Sequence, residues 1–151
     1  MKTQGIRILD NKNEIVSVKL LDILDVISYG ELFNWAILYS YVILKPNQGI
    51  TIFELEEKIN NSKNGYKVSW EKLKQLAKKI HQEIDITIIG CKNKENMHRY
   101  KEDREMYETC DIVIEMIDSG YWEFFSKDKL LIDKIATKFQ KVAFLTPDFQ
   151  K

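Results

Sequence analysis

The stretch from Cys110 to Thr146, CDIVIEMIDSGYWEFFSKDKLLIDKIATKFQKVAFLT, decides the fold. It reads as strand, tight turn, strand, helix, strand. Asp111–Ile117 and Tyr121–Phe125 are β-branched and aromatic runs, as a pleated surface prefers. Between them, Asp118-Ser119-Gly120 fits a three-residue hairpin loop, a type I turn with Gly at positive φ. That loop pairs Ile117 with Tyr121, Met116 with Trp122, Glu115 with Glu123 and Ile114 with Phe124. One face is then wholly apolar: Ile112, Ile114, Met116, Trp122 and Phe124. The other is mixed: Val113, Glu115, Ile117, Tyr121, Glu123 and Phe125. A two-residue loop would put a carboxylate on each face, and one would enter the core. A one-residue slip inverts a strand's faces, so the first register is the expected one.

The next segment follows without a loop. Ser126 is the expected N-cap, with Asp128 in the first turn where negative charge suits the helix dipole. Leu131, Ile132, Ile135, Ala136 and Phe139 form one helical stripe. Val142–Leu145 is a short strand that Pro147 ends.

Working outward, Gly5–Leu9 is a strand followed by a polar turn. In Glu14–Ser28 the residues Val16, Leu20, Ile23, Leu24 and Ile27 repeat at helical spacing, so a helix capped by Asn13 is expected. The competing possibility is that Ile15–Val18 pairs back as a strand. Leu32–Leu44 is one long strand, or two folded near Tyr39-Ser40. Thr51 and Glu54 make a capping box for a helix reaching about Asn60. Ser69 caps the next helix, whose stripe is Trp70, Leu73, Leu76, Ala77, Ile80 and Ile84. Ile84–Ile89 is a strand. Lys92–Glu108, with five positive and five negative side chains, reads as a loop and a short helix near Tyr100–Glu108. The whole is one α+β domain over residues 1–151: a mixed, mostly antiparallel sheet packed by several helices.

Composition excludes more than it identifies. The chain has 151 residues and zero formal net charge, so nothing draws it as a whole to nucleic acid or to an anionic membrane. Its basic side chains are 20 Lys and 3 Arg, and planar recognition of phosphate or guanine leans on Arg. No run reaches the about 18–20 apolar residues of a membrane span, and no signal peptide is visible. Two cysteines, Cys91 and Cys110, fit a reducing compartment, and the expected location is cytoplasmic. They read as small apolar residues at strand ends.

No cofactor or metal is expected. His81 and His98 are the only histidines, and neither has a ligand at metal-binding spacing. There is no glycine-rich phosphate loop, no GxSxG and no HExxH. A Cys–His pair assembled only by folding leaves no mark in a sequence. Most strand aromatics (Phe33, Trp35, Tyr39, Tyr41, Trp122, Phe124) read as core.

Glu115 and Glu123 are the sharpest constellation. Directly opposed like charges are unfavourable, so something must compensate. Either they are a solvated or lysine-neutralised pair, or a pair with one raised pKa, or an acidic patch awaiting a cationic partner. With Tyr121 and Phe125 beside them they have the make-up of a contact surface. Glu115, Tyr121, Glu123 and Phe125 are therefore the candidate partner-binding residues, with no catalytic residue assigned.

The segment Cys110–Lys129 resembles a family of small uncharacterised bacterial proteins, a domain of unknown function. The shared features are Cys110-Asp111 before three hydrophobic residues, Asp118-Ser119, Tyr121, and Ser126-Lys127-Asp128 ahead of a helix. Phe33-Asn34-Trp35 after a helix is a second shared patch; the Trp70 helix lies outside both. Such proteins are often encoded near polymorphic toxins, so the resemblance implies an immunity-type role, a toxin-like protein partner and no catalytic residues. The alternative is a small-molecule enzyme or ligand-binding protein with a pocket between the sheet and Lys92–Glu108.

Overall fold

The computed structural model describes residues 2–12 and 15–145. Its centre is a seven-stranded sheet built from β1 (Gln4–Ile8), β4 (Asn34–Leu44), β5 (Tyr66–Val68), β6 (Ile80–Cys91), β7 (Ile112–Ile117), β8 (Tyr121–Ser126) and β9 (Val142–Phe144). The spatial order is β5-β4-β6-β7-β8-β1-β9. Every pairing among the described residues is antiparallel, where the sequence left room for a parallel one. A two-stranded ribbon, β2 (Asn11–Lys12) with β3 (Ile15–Val16), stands apart.

The hairpin register is the expected one, with Ile117 opposite Tyr121, Met116 opposite Trp122 and Glu115 opposite Glu123. The turn differs. Positive φ falls on Asp118 (46°) and Ser119 (58°), not on Gly120. The Gly120 amide donates to the Ile117 carbonyl at 2.8 Å, the pattern of a type I′ turn with one extra residue after it. Strand β6 holds this conformation. Asp118 N donates to the Asp85 carboxylate at 2.8 Å, and Ser119 N to the Ile84 carbonyl at 2.8 Å.

Four helices pack on one face: α1 (Leu20–Leu24), α2 (Ile52–Asn60), α3 (Trp70–Lys79) and α5 (Lys129–Lys138). Their apolar stripes meet Ile6, Ile8, Ile86, Ile88, Ile114, Met116, Trp122 and Phe124 in the main core. Trp122 has no exposed surface, and its indole N–H donates to the Val18 carbonyl at 2.8 Å. A fifth helix, α4 (Asp103–Thr109), lies with the loop before it on the opposite face.

Several boundaries differ from expectation for local reasons. Residues 15–28 are not helical throughout, because Ile15-Val16 pair back onto Asn11-Lys12 and leave only Leu20–Leu24 as helix. The short helix starts where the Glu83 carboxylate accepts from Leu20 N at 2.7 Å and Asp22 accepts from Lys19 N at 2.8 Å. The Asn13 cap and Pro147 lie outside the described residues. Leu32 belongs to a 3-10 turn, Gly30–Leu32. Strand β4 is continuous, with a register shift between Ile37 and Tyr39. Strand β6 starts at Ile80 rather than Ile84. Helix α5 is capped by Asp128, which accepts from Leu130 N at 3.0 Å. Ser126, the expected cap, instead accepts from Asp128 N at 3.0 Å. The Thr51 and Ser69 caps form as expected, each hydroxyl accepting an amide at 3.1 Å.

Candidate functional site

The sheet face opposite the four helices carries every candidate residue. Its strands can be read in rows across the sheet. One row runs Ala36, Ile89, Val113, Phe125 and Gly5; the next runs Tyr39, Thr87, Glu115, Glu123 and Arg7; Tyr41 and Asp85 open a third, with Ile117 and Tyr121 paired beside them. This face is open over only part of its area. Met97, Met106 and Tyr107 pack onto the first row and Leu38, forming a second core. The Tyr107 ring stacks on Phe125 with centroids 3.8 Å apart. Phe125 is 0 % exposed, so it is core and not contact surface.

Glu115 and Glu123 are likewise buried, at 6 % and 0 % exposure, so they are neither a solvated pair nor an exposed acidic patch awaiting a partner. Buried carboxylates need compensation, and it comes from remote parts of the chain. Arg7 donates through Nε at 3.1 Å and Nη2 at 2.8 Å to Glu123 Oε2. Tyr107 donates its hydroxyl to Glu115 Oε1 at 2.5 Å, and Thr87 to Oε2 at 3.3 Å. Burial, and then the negative Glu115 beside it, push the Tyr107 phenol well above its ordinary pKa. This row is a polar seam between two unlike halves of the face.

Beyond the seam the sheet is open. Tyr39 and Tyr41 are 52 % and 49 % exposed, and Ile43 continues the same edge-to-surface stripe. Ile117 and Tyr121, two and three strands further along the same face, are half-buried. The Arg7 guanidinium lies 4.4 Å from the Tyr121 ring centroid, a cation–π contact that fixes the ring. Of the four residues expected to contact a partner, Tyr121 alone retains surface. Tyr39 and Tyr41, expected in the core, are surface residues instead. Their hydroxyls were the legible signal, since a core position would have had to satisfy each of them.

A second feature lies at the end of the sheet where β4 and β7 begin and β6 and β8 finish. A cleft of about 810 Å³ is lined by Phe33, Trp35, Val68, Trp70 and Met97 among its apolar residues. A smaller hollow of about 350 Å³ shares Phe33 and reaches Lys92, Lys127 and Leu131. Here Tyr29 donates to Asp128. That hydrogen bond, ahead of the capped amide of Leu130, holds the Asp128 carboxyl below its ordinary pKa and raises the Tyr29 phenol. Behind the hollow, Cys91 and Cys110 are both free and buried. The Cys91 thiol donates to the Asn96 carbonyl at 3.9 Å, and the closeness of the two thiols raises the pKa of Cys91 and lowers that of Cys110.

Among the described residues no group of three or more His, Cys, Asp or Glu side chains is arranged to hold a metal ion. No helix among them is long and apolar enough to cross a membrane. Comparison of the chain with known protein families, with curated proteins and with solved structures finds no match.

Proposed function

We propose that the chain is a non-enzymatic protein-binding protein, and in its most concrete form an immunity-type protein that neutralises a bacterial toxin. The observation that carries the reading is the uncovered half of the sheet, where Tyr39, Tyr41 and Ile43 stand exposed on β4, on the same face as the half-buried Ile117 and Tyr121 two and three strands away. Tyrosine offers a large rigid contact with a polar tip and loses little rotamer freedom when immobilised. The charges set the partner's chemistry. Asp85 and Asp118 border the open half. A partner with a basic rim around an apolar anchor is complementary to this surface. Nucleic acid is not. The reading puts the protein in the cytoplasm, which suits two free cysteines.

The test is a binding measurement against the product of the adjacent gene, co-expressed and then separated. Tyr39→Ser/Tyr41→Ser/Ile43→Ser should weaken binding at least about tenfold, or about 1.4 kcal/mol, with the thermal midpoint little changed. Asp85→Asn should reduce the salt dependence of association. Full-strength binding by the triple variant removes this face from the mechanism. A second reading, small-ligand binding, is favoured by a different observation, the 810 Å³ cleft beside the Trp35–Trp70 stack.

A further inference from the structure

We propose that the cleft at the sheet end binds a flat aromatic molecule carrying an anionic group; this rests on the ligand-binding reading of that cleft. Its wall is aromatic and rigid. Trp35 and Trp70 stack with centroids 5.2 Å apart, and Phe33 meets the Trp35 ring edge-on at 5.8 Å. Both indoles are braced by glycines that leave no room for a side chain. A Cβ at Gly30 would sit 2.2 Å from the Trp70 ring, and one at Gly90 2.8 Å from Trp35. The Trp35 indole N–H donates to the Gly30 carbonyl at 2.8 Å, so the turn that braces one ring also anchors the other. Trp35 is fully covered, whereas Trp70 and Phe33 remain half-buried and face the space. A preformed ring platform selects a ligand with a flat π-face.

The charges select the sign. Lys67 and Lys94 line the cleft; the Lys74 ammonium stands 5.7 Å from the Trp70 ring centroid and that of Lys92 5.8 Å from Phe33. None of the four forms an ion pair among the described residues. Glu31 and Glu71 are the carboxylates in the lining. Asp111, at the adjoining hollow, accepts from Lys92 N at 2.8 Å, and Asp128 is engaged by Tyr29 and Leu130. Around the cleft and the adjoining hollow, Lys67, Lys74, Lys92, Lys94 and Lys127 stand against Glu31, Glu71, Asp111 and Asp128, a surplus of one positive charge, contributed by Lys74 beside the Trp70 ring. Lysines act as point charges, unlike the planar fork of arginine, so they accept a carboxylate, sulfonate or phosphate alike.

The probe pair is anilinonaphthalene sulfonate and N-phenyl-naphthylamine, which share their rings and differ in the anion. Fluorescence titration of the full chain should show saturable one-to-one binding of the sulfonate, at least about tenfold tighter than the neutral dye. Lys67→Glu/Lys94→Glu, at two exposed positions that folding does not need, should remove that preference while leaving the neutral dye's affinity unchanged. Tyr41→Ser, on the far half of the sheet, should change neither. Equal affinity for the two dyes overturns the anion selectivity but leaves a ligand cleft standing. Sulfonate binding that ignores the lysine variant, or responds to Tyr41→Ser, overturns the site. No saturable binding of either dye overturns the ligand-binding reading itself.

Discussion

Replacing Arg7 by Met tests the polar seam directly. Arg7 holds Glu123 through two hydrogen bonds of 3.1 and 2.8 Å, with the carboxylate side chain at 0 % exposure and the guanidinium at 23 %. Breaking a buried pair from one side costs roughly 3–5 kcal/mol, because a charge stays behind in a poorly solvated place. Water reaches the arginine end, so the lower part of that range, about 3 kcal/mol, applies to the pair. Loss of the contact with Tyr121 adds about 0.5–1 kcal/mol. With a urea slope of about 2 kcal/mol per molar, the unfolding midpoint should fall by about 1.5–2 M. Arg7→Met/Glu123→Leu removes both charges and fills similar volume, so most of the loss should return. Urea unfolding followed by circular dichroism and tryptophan fluorescence reads both numbers. A fall of less than about 0.5 M, or a double variant no better than the single, would refute the assignment of Arg7 as the counter-charge.

Three further outcomes follow from the same geometry. Trp122→Ala should cost roughly 3–5 kcal/mol as a core truncation, and Tyr121→Ala far less; the reverse order of denaturant midpoints would contradict the hairpin register. Tyr107→Phe removes a hydrogen bond to a carboxylate and should cost about 1.5–3 kcal/mol, measured by thermal or urea unfolding, with a neutral result ruling out the Glu115 contact as a stabilising one. The Asp128 carboxyl is held below its ordinary value near 3.8, first by the Tyr29 hydroxyl. A depressed folded pKa contributes stability above the unfolded pKa and loses it as pH falls through the folded one. The stability gap between wild type and Asp128→Asn should therefore be constant near neutrality and close from about pH 4 downward; a gap that widens in acid would reverse the sign.

The hairpin was legible because its two faces differ in kind and strand side chains alternate with period 2, so only one register keeps both carboxylates out of the main core. What lay behind the other face was not legible. Glu115 and Glu123 look like solvated residues until Arg7, 116 positions away from Glu123, and Tyr107 are brought to them. A weak signal did exist. Val113 and Phe125 share the face with the glutamates, and Met97, Met106 and Tyr107 give the charged Lys92–Glu108 segment an apolar side. The Asp118-Ser119 turn was misread because its strained residues are held by bonds to β6, which no local rule contains. Ser126 lost the cap to Asp128 because β8 extends through Ser126, delaying the helix start. Strand β5, three residues long, is too short for periodicity to register. The sheet-end cleft draws on strand ends, a helix start and a loop from three separate stretches, 31–35, 67–71 and 94–97, and nothing in their spacing joins them.

The register shift within β4 has a consequence for how this surface could be lost or gained. Trp35, Ile37, Tyr39, Tyr41 and Ile43 all occupy odd positions, and a regular strand would point all five the same way. The offset between Ile37 and Tyr39 changes the strand's phase, so Trp35 and Ile37 serve the interior while Tyr39, Tyr41 and Ile43 serve the exterior. Two vocabularies are thus written in one uninterrupted ribbon, and one amino acid, Leu38, is the punctuation between them. Deleting its codon would remove the extra residue and leave regular alternation, so Ile37 would still face the interior and Tyr39, Tyr41 and Ile43 the exterior. An inheritable change of three nucleotides would then straighten the ribbon and still keep the tyrosine surface.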